Sequence, residues 1–169
     1  THLQGCNFYI VTVPTPITKN NKPDLKLIKK ACNLVGEFIQ KNNTVIFEST
    51  VFPGLTNNIA IPIIEKKSKL KLNKDFYCGY SPERINPGDK KRKLKNITKI
   101  VSGSNKYSLN LITRLYSTII KSGVYKVSSI EIAEATKVIE NCQRDINVGF
   151  MNELSIIFNK LNLDTNEII

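Results

Sequence analysis

The sequence has few of the residues that build metal centres and disulfide frameworks. It contains one histidine, His2, and four widely spaced cysteines that form no C-x-x-C pair. A zinc site is therefore not expected, and no metal is assigned. The cysteines are interpreted as free, buried thiols in a reducing compartment, which predicts a cytoplasmic location. They are Cys6, Cys32, Cys78 and Cys142.

Long apolar runs and internal repeats are also missing. No apolar run reaches the length of a membrane-spanning helix, and no segment at the start resembles a signal peptide. We therefore expect no membrane partner. The 169 residues, of which 41% are hydrophobic, suffice for one domain with a substantial core.

Acidic residues are scarce relative to basic ones, and the net charge is +11. Such a charge suits nucleic acid, an anionic surface or small phosphorylated ligands. The densest basic run, KKRKLK at 90–95, has no interleaved aromatic residues and no nucleic-acid signature around it. We interpret it as a solvated loop that could attract dianionic substrates, and we do not expect nucleic acid as a partner. A basic phosphate-binding or nucleic-acid-binding module without catalysis is the alternative.

Strand and helix patterns alternate along the chain. Short apolar runs predict strands at 8–13, 44–50, 76–81, 97–103 and 124–127. Helical spacing of apolar residues predicts helices at 24–41, 56–67, 104–121 and 130–158. Pro62 should shorten or kink the second helix, and Ser128 with Glu131 could form a capping box for the last one. The alternation predicts an α/β fold with a mostly parallel sheet.

Unusual loops follow the first three predicted strands. They carry Thr12-Val13-Pro14-Thr15-Pro16, then Glu48-Ser49-Thr50, then Ser81-Pro82-Glu83-Arg84-Ile85-Asn86-Pro87-Gly88. In parallel sheets, ligands bind beyond the carboxyl ends of the strands. Hydroxyls and backbone amides suit the ribose, phosphate and carboxamide of a nucleotide cofactor. Ordinary turn chemistry explains each loop taken alone, but three such loops favour a ligand site.

The last predicted helix carries polar residues on a face that apolar residues should occupy. Lys137 and Asn141 are four residues apart and therefore lie one turn apart on one face. Burying the amide alone without a partner costs roughly 2–7 kcal/mol, so such a face often has chemistry to perform. The alternative is a solvated stripe with the surface pairs Glu134–Lys137 and Glu140–Arg144. Spacing alone favours this second interpretation.

Four strings carry a resemblance that covers essentially the whole chain. VTVPTPI, ESTVFPGLT, GYSPERINPGDK and AEATKVIENCQRDINVGFMNEL resemble the UDP-glucose/GDP-mannose dehydrogenase family, and most of all its branch that oxidises UDP-N-acetylhexosamines. The resemblance implies the later part of a Rossmann-like, parallel-sheet NAD-binding domain in residues 1–127. Residues 128–169 would form a long central helix and the start of the middle domain, and the helix would also contribute to a homodimer or larger homo-oligomer.

The resemblance also implies a reaction. Family members oxidise the C6 alcohol of a nucleotide sugar to a carboxylate in two hydride transfers to NAD, through a cysteine thiohemiacetal and thioester. Lys137 and Asn141 match the family's lysine and amide that stabilise the developing oxyanion, which agrees with electrostatic stabilisation by fixed donors. Thr50 matches a threonine near the cofactor and the hydrolytic water, and Glu83 matches the glutamate proposed for proton transfer.

The binding residues follow from the same resemblance. The cofactor would be bordered on its nicotinamide side by Thr12, Val13, Pro14, Thr15, Pro16, Ser49 and Thr50. The UDP-sugar would be contacted by Glu83, Arg84, Ile85, Asn86, Lys137 and Asn141. Some relatives carry a second glutamate where this sequence has Pro87, so water activation would fall to Glu83 or Thr50.

Two family motifs do not occur in the sequence. There is no G-x-G-x-x-G and no Gly-Gly-His-Cys. Cys142, one residue after Asn141, is turned by about 100° around the helix and is interpreted as a structural thiol. We therefore expect an internal fragment with an exposed apolar patch on its long helix and no turnover by itself.

The sequence does not identify the hexosamine epimer or the final polysaccharide. A UDP-glucose 6-dehydrogenase of the same family is one alternative. A 3-hydroxyacid or 6-phosphogluconate type of dehydrogenase, which also uses a helical lysine and asparagine, is another.

Overall fold

The computed structural model describes residues 2–85 and 94–169. The chain divides into two compact units, Thr1–Lys137 and Val138–Ile169. The predicted domain boundary after residue 127 stays a prediction.

Three parallel strands form the central sheet of the first unit. They are β1 (Phe8–Val11), β2 (Thr44–Phe47) and β3 (Tyr77–Tyr80), in the order β1-β2-β3. Their last residues are aligned, since Val11 pairs with Phe47 and Phe47 pairs with Tyr80. The loops that follow the three strands therefore begin side by side at one edge of the sheet.

The remaining elements of the first unit confirm the predicted alternation. Helix α1 (Lys26–Phe38) follows β1, and a π-helical turn (Thr56–Ala60) leads into α2 (Ile61–Ser68) after β2. A 3₁₀ turn (Leu94–Asn96), β4 (Lys99–Val101), α3 (Lys106–Ser117) and β5 (Val124–Lys126) complete it. Helix α4 (Ile130–Lys160) begins in the first unit and continues in the second.

Strands β4 and β5 form a second, two-stranded parallel sheet. The residues that follow β4 run alongside β3, since the Ser102 N–H donates to the Tyr80 carbonyl at 3.0 Å and the Ser104 N–H donates to the Cys78 carbonyl at 2.8 Å. This descending order is antiparallel pairing. The first residue of β4, Lys99, consequently lies at the edge where β2 and β3 end.

Helices cover both faces of the sheet. Side chains from α1, the π-helical turn, α2 and the start of α4 pack on one face, against β-strand residues that include Val45 and Phe47. On the other face, Ile46 and Val101 pack against α3. Because successive side chains of a strand alternate between faces, both faces of β2 are apolar, as the continuous run TVIF indicates.

Close packing around Gly79 predicts a destabilised variant. A Cβ atom at this position of β3 would overlap with the Ile112 side chain and the Ser102 carbonyl oxygen. We expect Gly79→Ala to lower the free energy of unfolding by about 1–3 kcal/mol, since α3 or β4 would have to shift. Urea denaturation measures the change.

Gly149→Ala is the matched control, because a Cβ on this residue of α4 meets no atom within 4 Å. It should leave the free energy of unfolding unchanged or raise it by up to about 1 kcal/mol. Equal losses in both variants would contradict the packing argument.

One local prediction needs correction. The residue that caps α4 is Ser129, whose Oγ accepts from the Ile132 N–H at 3.3 Å, so the predicted capping box of Ser128 and Glu131 is wrong. The second predicted helix is irregular around Pro62, as expected, because residues 56–60 form a π-helical turn and α2 begins only at Ile61. Pro62 lies in the first turn of α2, where a missing N–H is tolerated.

The second unit consists of most of α4 and a short helix, α5 (Thr165–Ile168). Large apolar side chains of α4 are more than 45% exposed there. They are Ile139, Ile146, Val148, Phe150, Ile156 and Ile157. The expected exposed apolar patch is therefore present in this chain.

Candidate functional site

The loop after β1 presents hydroxyls and prolines at the carboxyl edge of the sheet. Thr12, Pro14 and Pro16 are exposed, while Val13 and Thr15 are half-buried. Thr15 Oγ1 is buried and has no hydrogen-bond partner among the described residues. A buried hydroxyl without a partner costs about 1–3 kcal/mol, so this atom is suited to a hydrogen bond with a ligand.

The loop after β2 holds one hydroxyl inside the protein and presents another to solvent. Ser49 is buried, and its Oγ donates to the Val11 carbonyl at 3.4 Å. Its own carbonyl accepts from the Tyr80 hydroxyl at 3.0 Å. Thr50, by contrast, is exposed. The hydroxyl of Thr50 is thus available to a ligand, whereas that of Ser49 is bonded to β1.

The loop after β3 contains the predicted acid. The Glu83 carboxylate accepts from the Ile85 N–H within its own loop. Glu83 and Arg84 are half-buried and Ile85 is exposed. Asn86 lies outside the described residues, as does most of the basic run at 90–95. Pro82, immediately before the acid, is buried.

An ion pair lies beneath these two loops. Lys99 Nζ is 3.0 Å from Glu48 Oε1, with the two side chains 5% and 15% exposed. The Tyr116 hydroxyl donates to the same carboxylate oxygen. Burial and the neighbouring Glu48 charge raise the pKa of Tyr116, which therefore keeps its proton and acts as the donor. Sequence patterns did not reveal this cluster, because its three members are far apart in the sequence.

Helix α4 is fastened to the loop after β2 by a buried carboxylate. Glu134 is 0% exposed. The Gly54 N–H donates to its Oε2 at 2.6 Å, and the Thr56 N–H donates to its Oε1 at 2.9 Å. Burial raises the pKa of Glu134, and the hydrogen bonds from Thr56 and Gly54 oppose that rise. The predicted surface pair Glu134–Lys137 is therefore wrong, because Glu134 faces the core.

The two helical residues of the predicted oxyanion site differ in burial. Lys137, three positions after Glu134, is half-buried, and no hydrogen bond or ion pair joins its ammonium to another residue in the described parts of the chain. Since residues three apart share a helix face, Lys137 leaves α4 on the side that packs on the loop after β2. In the second unit, Asn141 is exposed, and the predicted pair of Glu140 and Arg144 is present at 3.5 Å.

The four thiols are free but not equally buried. Cys32 and Cys78 are buried as expected, whereas Cys142 is exposed and Cys6 is partly exposed. Burial raises the pKa of Cys32 to about 12 and also raises that of Cys78. The interpretation of all four as buried thiols is therefore wrong for Cys142.

These differences predict the order of thiol modification. Cys142 should react rapidly with an aromatic disulfide reagent in the folded protein, because thiolates are the reacting species and this thiol is exposed. Cys32 and Cys78 should react only after unfolding. Absorbance of the released thiolate measures both phases, and Cys142→Ser should remove the fastest reaction and leave only the partly exposed Cys6 to react in the folded protein. Rapid modification of Cys32 in the folded protein would contradict the structure.

Metal ligands and membrane-spanning helices are not found in the described residues. Among residues 2–85 and 94–169, no three side chains of His, Cys, Asp or Glu converge on a common point. No helix in this part of the chain is both long and apolar enough to cross a bilayer.

Comparison with known proteins identifies the family. Residues 1–120 match the NAD binding domain of the UDP-glucose/GDP-mannose dehydrogenase family, and residues 131–169 match its central domain. A UDP-N-acetyl-D-glucosamine 6-dehydrogenase of Salmonella typhi is 52% identical over 99% of this chain and 39% of its own length. A protein of the same name from Pseudomonas aeruginosa is 50% identical over 99% of this chain and 40% of its own.

A solved structure agrees with this assignment. The UDP-D-ManNAc dehydrogenase from Pyrococcus horikoshii has a TM-score of 0.92 and 30% sequence identity, and the match covers 99% of this chain and 40% of that one. The chain thus spans about two-fifths of the length of the relatives it matches. The family match also decides against the 3-hydroxyacid and 6-phosphogluconate types. By its sequence and its fold, the chain belongs to the UDP-glucose/GDP-mannose dehydrogenase family, and residues 1–120 correspond to the NAD binding domain of that family.

Proposed function

We propose that the protein containing this chain oxidises the C6 alcohol of UDP-N-acetylglucosamine to the uronate, with NAD as hydride acceptor, for surface polysaccharide synthesis. The observation that carries the proposal is the alignment of the three strand ends, Val11, Phe47 and Tyr80. It gathers the three loops with the family's motifs at one edge of the sheet, where ligands of such sheets bind.

The choice of sugar rests on sequence similarity. The chain is 52% and 50% identical to two UDP-N-acetyl-D-glucosamine 6-dehydrogenases, but only 30% identical to the structurally similar UDP-D-ManNAc dehydrogenase. These values favour UDP-N-acetylglucosamine over the mannosamine epimer.

The loop after β1 suits NAD. Thr15 Oγ1 is a buried hydroxyl without a partner among the described residues, and a bound nucleotide offers oxygen and amide groups to it. The exposed Thr12 and Thr50 border the same edge. When bound, NAD supplies a nicotinamide ring that accepts the hydride. Val13, Pro14, Pro16 and Ser49 would shape the pocket around it.

Lys137 and Asn141 would stabilise negative charge on the reacting oxygen. They are four positions apart in α4, and an ammonium and an amide are the donor groups that oxyanion stabilisation needs. Glu83 and Thr50 would move the proton of the hydrolytic water. Glu83, Arg84, Ile85 and Asn86 would line the sugar nucleotide.

A cytoplasmic location and a homodimer or larger homo-oligomer complete the proposal. Four free thiols suit a reducing compartment. The exposed apolar residues of α4 suit burial against other protein.

The direct test uses the full-length gene product with NAD and a panel of UDP-sugars. We expect two NADH per uronate with UDP-N-acetylglucosamine and slower turnover with UDP-N-acetylgalactosamine and UDP-glucose. N-acetylglucosamine 1-phosphate serves as the control without the nucleotide. If no UDP-sugar yields NADH while the protein is retained on DNA in a salt-dependent manner, the enzyme proposal fails and the basic binding module is favoured.

A further inference from the structure

Lys99 is a cation enclosed by the protein at the edge where the proposed site lies. Its side chain is 5% exposed. The ammonium contacts Glu48 Oε1 at 3.0 Å, approaches the Pro82 carbonyl oxygen at 3.5 Å and lies 5.1 Å from the centre of the Tyr116 ring. The proposed chemistry gives this charge no direct role.

The partners of Lys99 belong to the two loops that carry the proposed acid and hydroxyl. Glu48 follows the last residue of β2 and precedes Ser49 and Thr50 in the sequence. Pro82 precedes Glu83. One buried ammonium therefore contacts both the loop after β2 and the loop after β3.

Stability alone is a weak reason for such an arrangement. A buried ion pair stabilises the folded protein little more than apolar side chains of similar volume would, since both charges lose their hydration. It does hold its partners in one geometry, because the carboxylate also accepts from the Tyr116 hydroxyl. The antiparallel direction of β4 is what brings Lys99 to this edge, so the arrangement depends on the fold.

We propose that Lys99 is a positioning residue, which acts through Glu48 and the Pro82 carbonyl to fix Thr50 and Glu83 relative to each other. This inference rests on the proposed function. A displacement of about 1 Å at a reacting group can cost about 10²-fold in rate. Loss of the tether should therefore reduce kcat without removing any group that touches the substrate.

The test removes both charges together in the full-length protein. In the double variant Glu48→Gln/Lys99→Met, the Tyr116 hydroxyl still has an oxygen to donate to, and no unpaired charge is buried. With UDP-N-acetylglucosamine and NAD, we expect kcat to fall by about 10- to 100-fold, with little change in KM. Amide hydrogen exchange should become faster in residues 49–52 and 81–85, and unchanged in α1.

The matched control applies the same substitutions to a surface pair. Lys67 Nζ and Glu37 Oε1 are 2.9 Å apart, with side chains 43% and 46% exposed. Glu37→Gln/Lys67→Met should retain the wild-type kcat and exchange pattern. Should the buried double variant fail to fold, Tyr116→Phe removes one hydrogen bond to Glu48 and is expected to speed exchange at 49–52, with a smaller loss of kcat.

Two results would overturn the inference. One is unchanged exchange in both loops of the folded double variant. The other is faster exchange with a wild-type kcat, which would show that the order of the loops does not matter to the reaction. If the wild-type protein forms no NADH with any UDP-sugar, the proposed function fails, and exchange alone then decides whether Lys99 orders the loops.

Discussion

Replacing Lys137 with alanine should lower kcat for UDP-N-acetylglucosamine by about 10²- to 10³-fold in the full-length protein. Removing one fixed donor to a developing oxyanion has a cost of this size. The ammonium of Lys137 engages no other residue in the described parts of the chain. Its loss should therefore affect the reaction far more than the fold. NADH formation at saturating NAD measures the effect.

A second lysine on a helix supplies the control. Lys29 is exposed on α1, and Lys29→Ala should retain the wild-type kcat. Lys137→Arg keeps a cation on the same helix face and should recover part of the rate. If Lys137→Ala turned over like the wild type, the assignment of the oxyanion site to α4 would be wrong.

Replacing Glu134 with alanine should lower the free energy of unfolding by about 2–4 kcal/mol. Its carboxylate accepts from two backbone amides, those of Gly54 and Thr56. Each would be left without its present partner, at about 1–3 kcal/mol for a buried donor. The variant should also be less active, because the same contact fastens α4 next to the loop of Thr50. Guanidinium denaturation measures the stability change.

A surface carboxylate serves as the control, because its replacement removes a charge without leaving buried backbone donors unpaired. Glu37 pairs with Lys67 at the surface, and Glu37→Gln should change the free energy of unfolding by less than about 1 kcal/mol. Glu134→Gln keeps one acceptor oxygen but turns an amide N–H toward a backbone N–H. Its loss in free energy of unfolding should therefore lie between those of Glu37→Gln and Glu134→Ala. A loss for Glu134→Ala no larger than that for Glu37→Gln would contradict the structure.

The raised pKa of Glu134 also gives a pH dependence. Burial lifts this pKa above its ordinary value of 4.5, so the folded protein binds the proton more tightly than the unfolded chain does. Protonation thus favours the folded state. As the pH rises above 4.5, the stability of the wild type relative to Glu134→Gln should fall, until the carboxyl group is ionised in both states.

Much of the architecture follows from patterns in the sequence. The strands at the FYIVTV, TVIFEST and FYCGYS runs and the four long helices are where the periodicity of apolar residues places them. The loops rich in proline and threonine were also identified, because special turn chemistry is visible in local sequence. The grouping of those loops followed from the rule that parallel strands end at one edge.

The buried polar contacts could not be obtained in the same way. Glu134 stands three residues before Lys137, a spacing that is equally typical of a surface ion pair. Only the packing of α4 against Gly54 and Thr56, some 80 positions earlier in the chain, turns it inward. The helix cap was predicted one residue too early, because Ser128 and Ser129 are adjacent serines before the helix and only the backbone geometry selects Ser129.

The order of amino acids alone establishes the alternation of strands and helices, the family motifs and the placement of Lys137 and Asn141 one turn apart, because each depends on spacing within a short segment. The direction of β4 is not established in this way, since the apolar pattern of a short strand does not specify whether it pairs in parallel or antiparallel. It is the folded chain, by running β4 antiparallel to β3, that encloses Lys99 with Glu48 and Tyr116 beneath the proposed site.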